Sequence, residues 1–272
     1  MPASANDFTK PKGWPVRVLA FTKPFGPLPA ARLGDVLAAS GADGADLLVR
    51  EGQTVDPADP DGIAVVAAEL RARDLDVDVV TTDLVEADAA ADRLLGACAD
   101  AGVRLVRLGF YRYDPGSGYH RCRDAARGAL GRLADLSARH GVQPMLQLHH
   151  ATVHPSGALA LALIHDLDVT IYADPGNQAK EGAEAWPMHL DLLGGRIACV
   201  GAKNAVWRET AAGWRCDWAP FTGGGVVAWP EIVAGLRQRD YAGPLSLHVH
   251  YPTADPAAAV RRDVARLRDV LR

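Results

Sequence analysis

The chain has 272 residues, 49% of them hydrophobic, and its 29 Lys and Arg face 33 Asp and Glu for a net charge of −4. Such a composition excludes intrinsic disorder, and without a basic run to neutralise a row of phosphates it argues against nucleic acid as a partner. About three quarters of the unfolded surface can be buried at this length, so neither a disulfide nor a structural metal is needed for folding.

In chain order, residues 1–15 are polar and Pro-rich and read as an N-terminal tail, leaving residues 16–272 as one domain. Short apolar runs follow at 16–21, 45–49, 77–81, 103–108, 142–148, 169–172, 197–202 and 244–249. Ala-, Leu- and Arg-rich stretches with helical spacing alternate with them, at 29–40, 59–73, 87–101, 121–140, 156–166, 181–194, 229–239 and 255–271. Strands alternating with helices predict parallel pairing. Eight such units in about 250 residues predict a single (β/α)8 TIM barrel. An open doubly wound sheet is the rival, but no G-x-G-x-x-G follows the first strand.

The longer connections, 110–120, 174–181 and 204–228, all follow strands and read as loops at the C-terminal mouth, where barrel sites are built. Trp207, Trp214, Trp218 and Phe221 in the last of these cover the mouth, form a subunit contact or pack on the rim. Cys98, Cys122, Cys199 and Cys216 are scattered, with no C-x-x-C, as in a reducing compartment. With no signal-peptide core and no apolar run long enough to span a bilayer, the expected setting is the cytoplasm, with no membrane partner.

Side chains alternate along a strand, so parity sorts those facing the barrel axis from those facing the helices. This turns Gln147 and His149 inward on the fifth strand, Thr170, Tyr172 and Asp174 on the sixth, and Ser246, His248 and His250 on the eighth. Gly201 and Lys203 share a face on the seventh. Lys23, Arg50, Arg107 and Tyr111 stand at the ends of earlier strands. A lone histidine at a strand end is more often structural than functional. Five of them on two strands (His149, His150, His154, His248, His250), beside an Asp, two Lys and an Arg, predict a polar pocket for a small polyol or sugar-like ligand. Of the basic residues, 24 are Arg and 5 are Lys, so the few lysines in the body stand against a strong bias and hint that an ammonium is needed there.

Several short motifs carry a family resemblance: Asp174-Pro-Gly-Asn177, Glu181-Gly, Leu192-Leu-Gly, Ala202-Lys203-Asn204-Ala-Val-Trp207, Thr81-Thr82-Asp83, Arg107-Leu-Gly-Phe-Tyr-Arg-Tyr113, His149-His150-Ala-Thr152 and Tyr241-Ala-Gly-Pro-Leu-Ser-Leu. In this order, from about Val16 to Leu271, the chain resembles the xylose isomerase-like TIM barrels of the sugar phosphate isomerase/epimerase group. The resemblance implies a divalent metal held by Glu, Asp, His and Glu on strands five to eight, and proton transfer through an enediolate. Carried over residue by residue, those four positions hold Gln147, Asp174, Gly201 and His248, so one ligand of four is unchanged.

Two chemistries remain open on that basis. A rewired metal site (Mn, Zn or Mg) would draw on Asp174, His149 and His248 with Gln147 or His250 helping; a metal-free site would use His149 and His248 as acid and base. Either way the resemblance implies an isomerase or epimerase acting on a small polyol, keto-sugar or related carbonyl compound. His248, Lys203 and His149 would be catalytic, and Lys23, Arg50, Arg107, Tyr111, Asn177 and His250 would hold the substrate. An inosose dehydratase-like lyase shares the enolate, and loss of both carboxylates also fits a diverged binding protein. A multi-metal nuclease like endonuclease IV, on the same fold, lacks the carboxylates it would need. Asp174→Ala is expected to weaken ligand or metal binding and leave the fold intact. Barrels of this size often form homo-oligomers, and nothing in the sequence sets the number.

Overall fold

The computed structural model describes residues 14–221 and 224–272. Eight parallel strands close into a barrel: β1 (Val18–Phe21), β2 (Gly44–Leu48), β3 (Asp76–Thr81), β4 (Leu105–Arg107), β5 (Gln143–Gln147), β6 (Thr170–Ala173), β7 (Ile197–Ala202) and β10 (Leu245–Leu247). Around the barrel they run β1-β10-β7-β6-β5-β4-β3-β2. The helices are α1 (Ala30–Ser40), α2 (Gly62–Arg71), α3 (Ala89–Asp100), α4 (Tyr119–His140), α5 (Gly157–Ile164), α6 (Pro175–Glu181), α7 (Trp186–Leu193), α8 (Trp229–Gln238) and α9 (Pro256–Val270). Each expected strand and helix has a counterpart, displaced at most by a few residues. Residues 1–13 of the expected tail lie outside the described residues, and Trp14 donates its indole N–H to the Tyr241 carbonyl at 2.9 Å.

Alternation along the strands builds two cores. Outward residues such as Val18, Ala45, Leu47, Leu146, Ile171 and Leu247 pack beneath the helices in one large cluster. Inside the barrel, Leu19, Val79, Met145, Tyr172 and Cys199 form a small separate plug. The apolar plug closes the lower part of the barrel, so polar inward residues are confined above it. Two irregularities in pairing, after Ala45 against β3 and after Ile171 against β7, lie immediately before Asp46 and Tyr172. Such shifts re-aim side chains.

Two of the expected mouth loops are ordered elements. Residues 174–181 are not an open loop: Asp174 caps α6 by accepting the Asn177 N–H at 2.9 Å, and Pro175 takes the first helical position. Asp followed by Pro is a helix-start signal that its glycine neighbour disguises. The stretch 204–228 begins as an antiparallel hairpin, β8 (Asn204–Thr210) with β9 (Gly213–Ala219). It folds over the rim with Trp218 inward, its ring 4.3 Å from the Lys203 ammonium, while Trp214 stays 67% exposed. Phe221 is buried. Among the described residues no helix is long and apolar enough to cross a membrane.

Candidate active site

At the C-terminal ends of the strands lies a cavity of about 70 Å³. Its wall includes Lys23, Arg50, Arg107, Gln147, His149, Lys203, His248 and His250, and no carboxylate. Eight of the expected site residues therefore meet in one cup. Tyr111 does not join them. Its hydroxyl bonds the Val85 carbonyl at 3.2 Å and it lines a separate groove with Glu86 and Arg112. Tyr111 lies beyond the end of β4, where strand parity no longer governs direction. Asp174 and Asn177 stand behind the wall, both buried.

The cations are unequally compensated. Arg50 forms a two-pronged pair with Asp83, both contacts at 2.5 Å. Arg107 is only 3% exposed, yet its guanidinium bonds only the Leu108 carbonyl at 3.0 Å and the Thr81 hydroxyl at 3.4 Å, with Phe110 beneath it. Among the described residues it has no carboxylate in ion-pair contact, and neither has Lys23. Burial, then repulsion from Arg50 and Arg107, holds the Lys23 ammonium below its usual pKa. A buried cation without a counter-ion is costly unless something anionic arrives to pair with it.

His149 stacks on Phe110 with ring centres 4.0 Å apart, and its Nδ1 lies 2.8 Å from the His150 carbonyl. A carbonyl only accepts, so Nδ1 carries the proton and Nε2 is left with a free lone pair. Burial, reinforced by the charges of Lys203 and Arg107, pushes the imidazole down to about 3. It is uncharged at neutral pH. The turn behind it is tight: Ala151 has φ 58°, and Thr152 returns its hydroxyl to the His149 carbonyl at 2.6 Å.

His248 is held differently, by a group that sequence reading did not single out. Asp46, fully buried on β2, accepts hydroxyls from Thr81 (2.6 Å), Ser246 (2.8 Å) and Tyr172 (2.9 Å). Burial pushes the Asp46 carboxyl up, but contacts from His248, Thr81 and Ser246 outweigh it and hold the group below its usual range. Tyr172 thus spends its one proton on Asp46. His248 Nε2, 2.7 Å from the same hydroxyl, must donate to it. His248 Nδ1 is sealed from water and has no partner among the described residues.

The metal question turns on Asp174. Its Oδ1 accepts the Asn177 N–H, and its Oδ2 accepts Gln147 Nε2 at 2.7 Å, Asn177 Nδ2 at 2.9 Å and Lys203 Nζ at 3.1 Å. Gln147 turns its amide nitrogen to a group that only accepts. At position 201 even a Cβ would come within 2.9 Å of the Tyr172 ring and 3.1 Å of Asp174. Among the described residues no three His, Cys, Asp or Glu side chains converge as metal ligands. The donor set does not fit a divalent ion.

Comparison with known proteins places the chain. Residues 35–270 match the family described as xylose isomerase-like TIM barrel, and the chain belongs to that family. Among solved structures it is similar to a 3-keto-D-glucoside 4-epimerase from E. coli, at 18% identity with a TM-score of 0.72 over 93% of this chain and 99% of that one. An L-ribulose 3-epimerase gives 16% identity and a TM-score of 0.74 over 94% and 95%. A xylose isomerase-like TIM barrel protein from Mycobacterium smegmatis, in complex with magnesium, gives 18% identity and 0.70 over 95% and 96%. No curated protein matches in sequence.

Proposed function

We propose that the chain is an isomerase or epimerase of small polyol-derived carbonyl compounds that carry a phosphate or carboxylate, moving a proton next to the carbonyl through an enediolate. The observation that carries this is Arg107, buried with no carboxylate in ion-pair contact among the described residues and balanced only at longer range by Asp46 and Asp83, in a cup with Lys23 and Lys203 and without an acidic wall residue. An anionic substrate group pairs with Arg107 and Lys23, the two cations of the cup without an ion-pair partner among the described residues. The same fixed positive charge stabilises the enediolate oxygen as it develops.

In this reading His149 takes the proton at Nε2, whose lone pair is free because Nδ1 is bonded to the His150 carbonyl; burial makes it a weak base, so the step relies on the cations that hold the carbonyl oxygen. The second proton carrier is assigned to His250 of the cup wall, just past β10, which lies three strands from β5 around the barrel. Lys203 and Arg107 hold the carbonyl oxygen. Lys23 and Arg50 grip the anionic end, and Asn177 acts through Lys203, whose ammonium it accepts at 2.7 Å. We place the protein in the cytoplasm, as a single barrel domain behind a short tail, either alone or as a homo-oligomer. The cavity is far below the ~300 Å³ at which ligand pockets begin, so a sugar-sized ligand enters with widening of the mouth.

A diverged binding protein is the second reading. It is favoured by His248, whose two ring nitrogens are respectively committed to Tyr172 and sealed. Solvent deuterium exchange separates the two. Ketoses, ketose phosphates and hydroxy-keto acids are incubated with the protein in D2O and followed by proton NMR. Loss of the signal next to the carbonyl, abolished in His149→Ala, supports the enzyme. Calorimetric binding without exchange in any compound overturns it in favour of the binder.

A further inference from the structure

We infer that the Lys203 ammonium occupies the place of the divalent cation in this barrel, so that the site is built to work without a metal. The inference goes beyond the proposed reaction and stands or falls separately from it. It rests on how the chain packs around one carboxylate.

Asp174 ends β6 facing the axis and is wholly buried, so its charge must be neutralised within the protein. Four donors satisfy its two oxygens, and the cationic one is Lys203. Oδ2, the oxygen with three donors, is saturated and cannot take an ion without losing one of them, and Oδ1 is tied to the first turn of α6. The lysine is fixed from the other side as well. Its Nζ donates to Asn177 Oδ1 at 2.7 Å, and the Trp218 ring faces it at 4.3 Å.

Two glycines make room for the arrangement. A Cβ at Gly176 would lie 2.4 Å from Lys203 Cγ and 2.8 Å from Cε, so the aliphatic stem runs directly over the bare backbone. A Cβ at Gly201 would meet Tyr172 and Asp174, so a ligating side chain can project there only if the Tyr172 ring moves aside. Gln147 presents a donor where a metal would need an acceptor. These three positions, with Lys203 itself, agree on one outcome: a fixed monovalent cation, paired with the carboxylate and lining the cup.

The test uses the full chain, stripped with chelator, dialysed against Mn2+ or Mg2+, and examined by elemental mass spectrometry and thermal melting. The wild type is expected to retain far less than one ion per chain and to melt at an unchanged temperature. Lys203→Ala is expected to melt lower, and to be raised toward wild type by ethylammonium or by Mn2+, which re-pair Asp174. One Mn2+ per wild-type chain with a higher melting temperature overturns the inference. So does a Lys203→Ala protein that melts like wild type and responds to neither cation. If that variant does not fold, the wild-type measurement still decides. Neither readout requires a substrate, so failure of the proposed reaction leaves this result distinct.

Discussion

Gly176 sits in the first turn of α6, where replacing glycine by alanine ordinarily gains stability because the glycine backbone loses more freedom on folding. Here the added methyl collides with the Lys203 stem. Gly176→Ala is therefore expected to cost about 1–3 kcal/mol by overpacking, read as a lower urea midpoint. Gly195→Ala, where nothing lies within 4 Å of the added carbon, should move the midpoint little. Removing one partner of a buried ion pair is worse. Asp174→Ala should lose about 3–5 kcal/mol in urea unfolding, which corrects the expectation that this change would spare the fold: the carboxylate is 0% exposed, caps α6 and carries the Lys203 charge.

Single residues were unevenly legible. Strand parity brought Gln147, His149, Lys203, His248 and His250 to one cup, because alternation is enforced wherever one face packs on helices. Asp46 escaped notice. It ends the repeat Gly41-Ala-Asp-Gly-Ala-Asp46, which reads as turn, although its alternation with Ala45 and Leu47 carries an inward signal. What no single-residue reading could supply is partnership: that Tyr172 would spend its proton on Asp46, or that Lys203 would cover Gly176.

Among the elements, the β8–β9 hairpin and α6 are the two whose residues read as loops in the sequence. The hairpin's alternation is weak because the distal half stands clear of the barrel: residues 207–209 and 213–215 are exposed on both faces, so no period-2 pattern is imposed on Arg208, Glu209 and Arg215. It sets Trp218 over Lys203 and near Lys180, at 4.3 and 5.5 Å. Trp218→Ala should destabilise the chain by about 0.5–2 kcal/mol through the lost cation–π contact, measured in urea. It should also weaken binding of any ligand that Lys203 holds, which titration calorimetry would register. Both effects should be smaller for Trp218→Phe, which retains an aromatic face.

At the scale of the whole molecule, the barrel was readable because its signal is repeated eight times. Errors of a few residues at each boundary do not alter the count. The metal set was not readable, since a one-letter change such as Gly201 says only that a ligand is missing and not what fills the space. The burial of several histidines also gives the molecule a predictable acid response. Burial pushes His149 to about 3 and His154 and His189 to about 4, against 6.5 when unfolded. Below pH 6.5 the unfolded chain binds protons that the folded one refuses, so stability is full above that pH and falls as acid is added toward 4. Each such histidine contributes a slope of up to about 1.4 kcal/mol per pH unit. Asp78, raised by burial to about 6, opposes them between 6 and 3.8 but is outnumbered. The urea midpoint at pH 5 should therefore lie well below that at pH 7, and an equal or higher midpoint would refute the ordering.

The lysine stem lying across a bare backbone also constrains descent. Neither position 176 nor position 203 can drift independently, because a larger residue at the first evicts the second, and loss of the second strands a charge. Restoring an imidazole at 201 would further require the neighbouring phenol ring to withdraw. Homologues should accordingly exchange these sites as a block, dividing into two lineages with few viable intermediates between them.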